Sequence, residues 1–334
     1  MFAKSCTGTG SSITRSVYSI RVSCQRVCRM EELNSSVVPS NISSDGHPPL
    51  ATWVSTSLIP ALVLSLCFLL GVPGNIAVII LRPNWQHLSS VSQSLMLNLA
   101  ISDLLCLVTL PLWIYTLLYS WTLGLVTCKL LTYVVYCSLY GSLLTVTALS
   151  VQRYLQVVKL QKIFSQVGRK RMLVLLWLTA MILSVPSLVI RQLITEDHLI
   201  TCGPHYSSPG QQVAVLLIES LPGFVSIIVV GFSYISLHIK VNEAALFNNP
   251  QTTRLVTSII VTFFVLWMPY HITNMLIVGA ISRNDDNMLK SGMYIQSIVG
   301  ALVFVNSFMN PLLYAFASGN MCTVCKKREH GYCC

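Results

Sequence analysis

Charge is what this chain has least of. Only 10% of its 334 residues are Asp, Glu, Lys or Arg, against about a quarter in an ordinary soluble domain. Acids are scarcest, 11 against 21 bases. With 54% of the residues hydrophobic, too little polar surface remains to coat a water-facing globule, so most of the chain belongs in a membrane. The net charge of +10 does not indicate nucleic acid, because the bases flank apolar blocks and are not interleaved with aromatics on an open surface. The 12 cysteines do not form a disulfide scaffold. Cys67, Cys106 and Cys137 fall inside apolar blocks, where cysteine behaves as a small buried hydrophobe. The first 29 residues also lack the continuous apolar core of a signal peptide. They hold Lys4, Arg15, Arg21, Arg26 and Arg29 with Cys6, Cys24 and Cys28 and no acid. This segment is expected to stand outside the working protein, with translation starting at Met30.

What is present is apolar length. Blocks at 57–81, 91–119, 127–158, 172–192, 212–238, 255–281 and 293–317 are each long enough to span a bilayer with some tilt. Most contain Gly or Pro, which bundled membrane helices tolerate. The expected fold is therefore an all-α membrane protein, a seven-transmembrane helix bundle over 57–318. A Ser-rich extracellular segment (1–56) precedes it and a short Cys-rich cytoplasmic tail (319–334) follows. Asn34 and Asn41 head N-x-S sequons, which favour a lumenal N-terminus. With that orientation the inner loops carry Arg82, Arg153, Lys159, Lys162, Arg169, Lys170, Arg171, Lys240, Arg254, Lys326, Lys327 and Arg328. The outer loops carry Lys129, Arg191, Arg283 and Lys290 against Glu196, Asp197, Asp285 and Asp286. This matches the excess of bases on the cytoplasmic side of membrane proteins.

The third block is the axis. From Cys128 to Arg153 it covers about 37 Å as a helix, one membrane thickness, and the one charge between its ends is Lys129. Its neighbours carry Gly74-Asn75, Asn98-Leu-Ala-Ile-Ser-Asp103, Trp121-Thr-Leu-Gly124, Arg153-Tyr154, Trp177, Pro186, Phe263, Trp267-Met-Pro269 and Asn310-Pro-Leu-Leu-Tyr314, in order. Over 57–318 the chain resembles the rhodopsin-like (class A) G-protein-coupled receptors. A transporter would more often show repeated halves or helices interrupted at midplane. A membrane enzyme would need clustered His and Asp at one face. The chain shows neither pattern, and it is expected not to be an enzyme.

The resemblance implies a plasma-membrane, multi-pass receptor whose partners are membrane lipids, a heterotrimeric G protein of the inhibitory class and arrestin, with no nucleic acid. It implies a disulfide between Cys128 and Cys202 that pins an outer loop over the pocket mouth. An aspartate within the membrane is costly and functional by default. Asp103 has candidate partners in Asn75, Ser142, Asn306 and Asn310, and the resemblance implies a sodium ion or water among them; a purely structural polar knot is the alternative. No other cofactor or metal is expected. Arg153, Tyr154, Tyr234, Trp267, Pro269, Pro311 and Tyr314 are the expected activation residues. Proline removes a backbone hydrogen bond, and in this family the kinked sixth helix swings outward at its inner end.

The pocket contents narrow the ligand. Val135 occupies the third-helix position where amine receptors of this family keep a carboxylate. No lysine stands between Met293 and Tyr314 to attach retinal. Instead Arg191 ends the fourth block, with Lys129 near the top of the third. A guanidinium matches a carboxylate bidentately, although an arginine there also snorkels to headgroups. Glu219 is a second buried acid. Trp267, Tyr270, His271 and Asn274 recur at i, i+3, i+4, i+7, on one helix face; His271 alone reads equally as structural. The run Leu266–Asn274, the arginine following Pro186, and Glu219 before Gly223-Phe224 resemble the leukotriene B4 receptors. That implies an oxidised fatty acid as ligand, held by Arg191, Glu219, Tyr270 and Asn274, and a role in leukocyte chemotaxis. The position corresponding to a third-helix histidine in that group is Thr132. A peptide chemoattractant receptor is the alternative, given the acidic outer loops.

Three features depart from the family. Gln152 replaces the acid before Arg153, so a charged resting lock is missing. Pro222 stands earlier in the fifth block than the family's proline, and Ser226 fills the usual place. The tail is short and poor in hydroxyls. There Cys322, Cys325, Cys333 and Cys334 beside Lys326-Lys327-Arg328 are palmitoylation candidates, with zinc on the Cys322/Cys325 pair as the alternative.

Overall fold

The computed structural model describes residues 57–80, 89–157, 166–196, 199–243 and 250–318. The sequons at Asn34 and Asn41, the Met30 start and the tail cysteines lie outside these residues, as do the side chains of Arg153 and Tyr314. Seven spans are long and apolar enough to cross a membrane. The first is α1 (Ile59–Ile80) and the second is α2 (Ser90–Leu107) continued by α3 (Leu110–Leu118). The third is α4 (Gly124–Val157), and the fourth is α5 (Gln166–Leu183) continued by α6 (Val185–Ile190). Then come a hairpin of β1 (Arg191–Glu196) and β2 (Leu199–Pro204), and the long helices α7 (Pro209–Glu243), α8 (Pro250–Arg283) and α9 (Asp286–Ser318).

The two sides of the spans differ in chemistry. Outward-facing Leu62, Leu66, Leu69, Ile182, Ile228 and Val265 are exposed, which in water would be a fault and in a bilayer is the lipid contact. The inward faces carry the polar groups, among them Asn75, Asn98, Asp103, Gln152, Glu219, Asn274 and Asn310, all buried. The central apolar core joins Leu95 and Leu99 of α2, Leu143 and Val146 of α4, Ala180 of α5 and Phe263 and Trp267 of α8. The Trp177 indole donates to Asn98 Oδ1 at 2.9 Å, and Asn98 Nδ2 donates to Thr145 Oγ1 at 2.7 Å, tying α5, α2 and α4 together.

Two blocks read as continuous are broken. The second stops at Leu107 and restarts at Leu110, with Pro111 in the first turn of α3. Proline has no N–H to donate there, and the turn is closed by Thr109, whose Oγ1 and amide both donate to the Cys106 carbonyl, at 2.7 and 3.2 Å. The fourth breaks at Ser184, with Pro186 in the first turn of α6. Pro222, by contrast, lies inside an unbroken α7. Arg191 is the C-cap of α6 and at the same time opens β1, paired with Pro204. The loop after the fourth span is thus an antiparallel hairpin, which the residue pattern had not indicated.

Candidate ligand-binding site

Cys128 and Cys202 form a disulfide, with their Cα atoms 5.8 Å apart. It fastens β2 to the top of α4. Two further ties act beside it: the Trp121 amide donates to the Ile200 carbonyl at 2.7 Å, and the Ile200 amide donates to Ser120 Oγ at 2.9 Å. The hairpin is therefore held as a lid at the end of the bundle where α4 begins.

Below it lies a cavity of about 570 Å³, within the usual range of small-molecule sites. One wall is polar. Arg191 and Tyr206 come from the hairpin and its exit, Thr132 and Tyr136 from α4, Glu219 from α7 and Tyr270 from α8. The Tyr270 hydroxyl donates to Glu219 Oε2 at 2.9 Å. Arg191 Nη1 donates to the Cys202 carbonyl at 3.3 Å, while its Nε is buried with no partner. An unfilled donor on a guanidinium is costly unless an acceptor arrives. Burial, and next the Glu219 carboxyl, push the Tyr206 phenol up to about 12 against the opposing pull of Arg191, so it stays a protonated donor. The other wall, from α1, α3 and α9, is mostly apolar, and Trp267 also lines the cavity.

Of the expected ligand contacts, the cavity gathers Arg191, Glu219, Tyr270 and Thr132. Thr132 spends its hydroxyl proton on the Cys128 carbonyl, 2.8 Å away. Lys129 is half-buried outside the cavity. Two further expected contacts do not line this cavity. His271 lies behind Trp267, stacked on its ring at 5.7 Å, and a Cβ at Gly223 would collide with its imidazole; it fills the α7–α8 seam. Asn274 is likewise in that seam, donating to Ser220 Oγ at 3.0 Å and accepting from Gln296 Nε2 at 2.8 Å. It orients Gln296, which lines the cavity. Sequence reasoning missed Tyr136 and Tyr206. Tyr136 stands one helical turn below Thr132, so extending that face by i+4 would have found it.

Deeper in the bundle, Asp103 is completely buried. Ser142 Oγ donates to its Oδ1 and Asn310 Nδ2 to its Oδ2, each at 2.6 Å, which joins α2, α4 and α9. Asn75 does not bond Asp103. Its Nδ2 donates to the Gly71 and Ser307 carbonyls, leaving a buried Oδ1 without a partner. Ser307, not anticipated, is buried on the same face of α9 one turn before Asn310. Asn306 is buried nearby in α9. Gly74 lets α1 approach α9, since a Cβ there would sit 2.9 Å from Pro311 Cβ.

At the opposite end of the bundle Gln152 is buried and uses both ends of its amide. Its Nε2 donates to Ser89 Oγ at 2.8 Å and its Oε1 accepts from Ser92 Oγ at 2.8 Å. Ser89 is the N-cap of α2, so this neutral clamp joins the third span to the start of the second. Tyr154 meets the edge of Phe232 at 6.1 Å, on the same helix as Tyr234.

Seven spans, a lid disulfide, a cavity beneath it and a buried aspartate linked to the Asn310-Pro311 helix form one constellation. A family model described as 7 transmembrane receptor (rhodopsin family) matches residues 74–314. The chain belongs to that family. This rhodopsin-family receptor is 31% identical to human leukotriene B4 receptor 1 over 84% of its own length and 83% of the relative's. It is 31% identical to human leukotriene B4 receptor 2 over 83% and 80%, and 28% identical to the dog C5a anaphylatoxin chemotactic receptor 1 over 78% and 76%. It is thus a multi-pass membrane receptor of the leukotriene B4 and chemoattractant group and not an enzyme. Membership of the rhodopsin family implies coupling to a G protein and a small-molecule or peptide ligand.

Proposed function

We propose that this receptor recognises leukotriene B4 or a related oxidised fatty acid at the plasma membrane and signals through an inhibitory G protein in leukocyte chemotaxis. The carrying observation is the Arg191 guanidinium in the cavity wall with its buried Nε unpartnered. A carboxylate is the group that completes it. Glu219 and Tyr270 form a bonded pair on the same wall to which hydroxyls on the acyl chain bind, and the apolar opposite wall receives the chain.

The test is displacement of tritiated leukotriene B4 from membranes of transfected cells. Arg191→Ala should weaken binding roughly 10- to 150-fold, the equivalent of about 1.5–3 kcal/mol for a hydrogen bond to a charged group. The methyl ester of the ligand should lose a similar factor on the unaltered receptor and nothing more on the variant. Unchanged affinity in Arg191→Ala would remove the anchor. The second reading, a peptide chemoattractant, is favoured by the similarity to the C5a receptor and by exposed Asp285 and Asp286 at the α8–α9 turn. Binding of a cationic chemotactic peptide with no lipid binding would establish it instead.

The same proposal has the N-terminus outside with glycans on Asn34 and Asn41, palmitate on the tail cysteines, and arrestin engaged through inner loops. It also has a sodium ion held by Asp103 and Ser142. The fit rests on the donor chemistry: the buried carboxylate of Asp103 beside the Ser142 hydroxyl, with the buried Asn75 Oδ1 unpartnered. These are hard oxygens suited to such a cation.

A further inference from the structure

We propose that Gly300 gauges the length of the apolar chain that the cavity accepts, an inference resting on the lipid-carboxylate reading above. Five helical glycines, Gly71, Gly74, Gly141, Gly223 and Gly292, are explained by contact. A Cβ at Gly71 would sit 2.7 Å from Leu107 Cδ1, and one at Gly292 would sit 2.8 Å from Ile277 Cγ1, so a side chain there would push two helices apart. Gly300 is different. A Cβ on it meets nothing within 4 Å, and the residue lines the cavity. Its backbone is ordinary helix, since the positive-φ glycine among the described residues is Gly124. Neither helix approach nor backbone conformation calls for glycine at 300. What the absent side chain contributes is cavity volume.

Its place in the fold says which part of a ligand meets that volume. Gly300 belongs to α9, which packs against α1, α2 and α8, whereas the strand that begins with Arg191 packs against α4. The two residues therefore stand on opposing walls. Pro60 and Leu64 of α1, Leu117 of α3, and Ala301 and Phe304 beside Gly300 on α9 line the same region and are apolar, with Gln296 and Ser297 one turn earlier on α9 as polar members of that wall. A carboxylate seated on Arg191 sends its chain toward this wall, and the space above Gly300 is where the chain terminus fits. While room remains, each added methylene should raise affinity by about fourfold. Once the wall is met, further methylenes should lower it by overpacking.

The experiment compares the wild-type receptor with Gly300→Ala, Gly300→Leu, Arg191→Ala and Gly279→Leu. Gly279 is a matched control, a glycine of α8 whose Cβ also meets nothing within 4 Å but which does not line this cavity. Straight-chain fatty carboxylates of increasing length compete with tritiated leukotriene B4 on membranes, with cell-surface abundance measured alongside. Gly300→Leu should move the optimum to chains shorter by several methylenes while leaving the affinity of short chains within twofold. Gly300→Ala should move it by about one methylene and serves if the leucine variant does not reach the surface. Gly279→Leu should keep the wild-type profile. A Gly300→Leu profile that matches wild type, or that falls equally at every length, overturns the gauge. If the wild type has no affinity for any member, or Arg191→Ala leaves the affinities unchanged, the lipid-carboxylate reading itself falls and the gauge with it. Arg191-dependent binding with an unmoved Gly300→Leu optimum sinks the gauge alone.

Discussion

Gln152 illustrates how one residue can keep a job while changing its chemistry. Where the family places an acid, this receptor has an amide that grips Ser89 and Ser92 on α2. A neutral hydrogen bond contributes about 1 kcal/mol, and that difference shifts a two-state equilibrium about fivefold. Removing one partner by Ser92→Ala should therefore raise ligand-free signalling up to about fivefold in a cyclic-AMP assay, and Gln152→Ala should raise it at least as much. Gln152→Asp, which supplies the charge that the family pairs with its arginine, should lower ligand-free signalling below wild type. Basal output equal across all of these would show that the clamp does not hold the resting state. The absence of the acid was plain in the sequence, and its replacement by a contact to α2 was not, because the partners lie some 60 positions away. The same limit explains His271 and Asn274. Helical spacing correctly put them on one face with Trp267 and Tyr270, but a face is wide enough to cover both a cavity and the seam beside it. What draws the seam shut is Gly223 on another helix, and no pattern within α8 announces it. Arg191, Glu219 and Asp103 were legible for the opposite reason: ionisable groups are so costly in or near a membrane that their mere presence identifies a site.

The hairpin of β1 and β2 is the element that most needs its context. Its strands are only six residues each, and such a two-stranded unit is marginal alone in water. Here it is tied at Cys128–Cys202, at Trp121 and Ser120, and where the His205 amide donates to the Ile190 carbonyl at 2.7 Å. Its signature was present in hindsight, since β-branched Ile194 and Thr195 on one side of Asp197-His198 mirror Ile200 and Thr201 on the other. A run so short, between two membrane spans, still reads as a loop. The breaks at Ser184 and at Val108-Thr109 were similarly foreshadowed by Pro186 and Pro111, yet Pro73, Pro222, Pro269 and Pro311 sit inside continuous helices. A bilayer leaves proline several ways to be accommodated, and only packing selects one. Cys202→Ser should leave the strands paired through their backbone ties while freeing the lid edge that positions Arg191. A crosslink of this kind typically contributes about 2–4 kcal/mol. The variant should therefore melt at lower temperature, and bound leukotriene B4 should dissociate several-fold faster from cells where the variant reaches the surface. An unchanged dissociation rate would mean that the lid does not retain the ligand.

Across the whole receptor, the cavity and the opposite end of the bundle are joined by helices that also meet at Asp103. The seven-span bundle was readable from apolar length and loop charge alone, because a membrane permits so few architectures. How the spans join at their centre was not, since it depends on which of several buried amides and hydroxyls touch. Asp103 contacts Ser142 on α4 and Asn310 on α9, and α9 carries the apolar cavity wall at Gly300 and Phe304. A change in how α9 sits on α2 therefore bears on both ends at once. If sodium occupies this centre in the resting state, ligand and ion must oppose each other by the same factor, because coupling between two binding equilibria is reciprocal. Replacing choline with sodium at constant ionic strength should then lower agonist affinity about 5- to 150-fold, the usual span of such coupling. Asp103→Asn keeps the shape and one acceptor oxygen but removes the charge, so agonist affinity in this variant should no longer respond to the exchange. Constant ionic strength matters, because general screening of Arg191 would otherwise weaken carboxylate binding in any salt. An equal sodium response in Asp103→Asn and wild type would place the effect outside this cluster. No response in either would leave Asp103 as a structural knot that ties three helices and senses nothing.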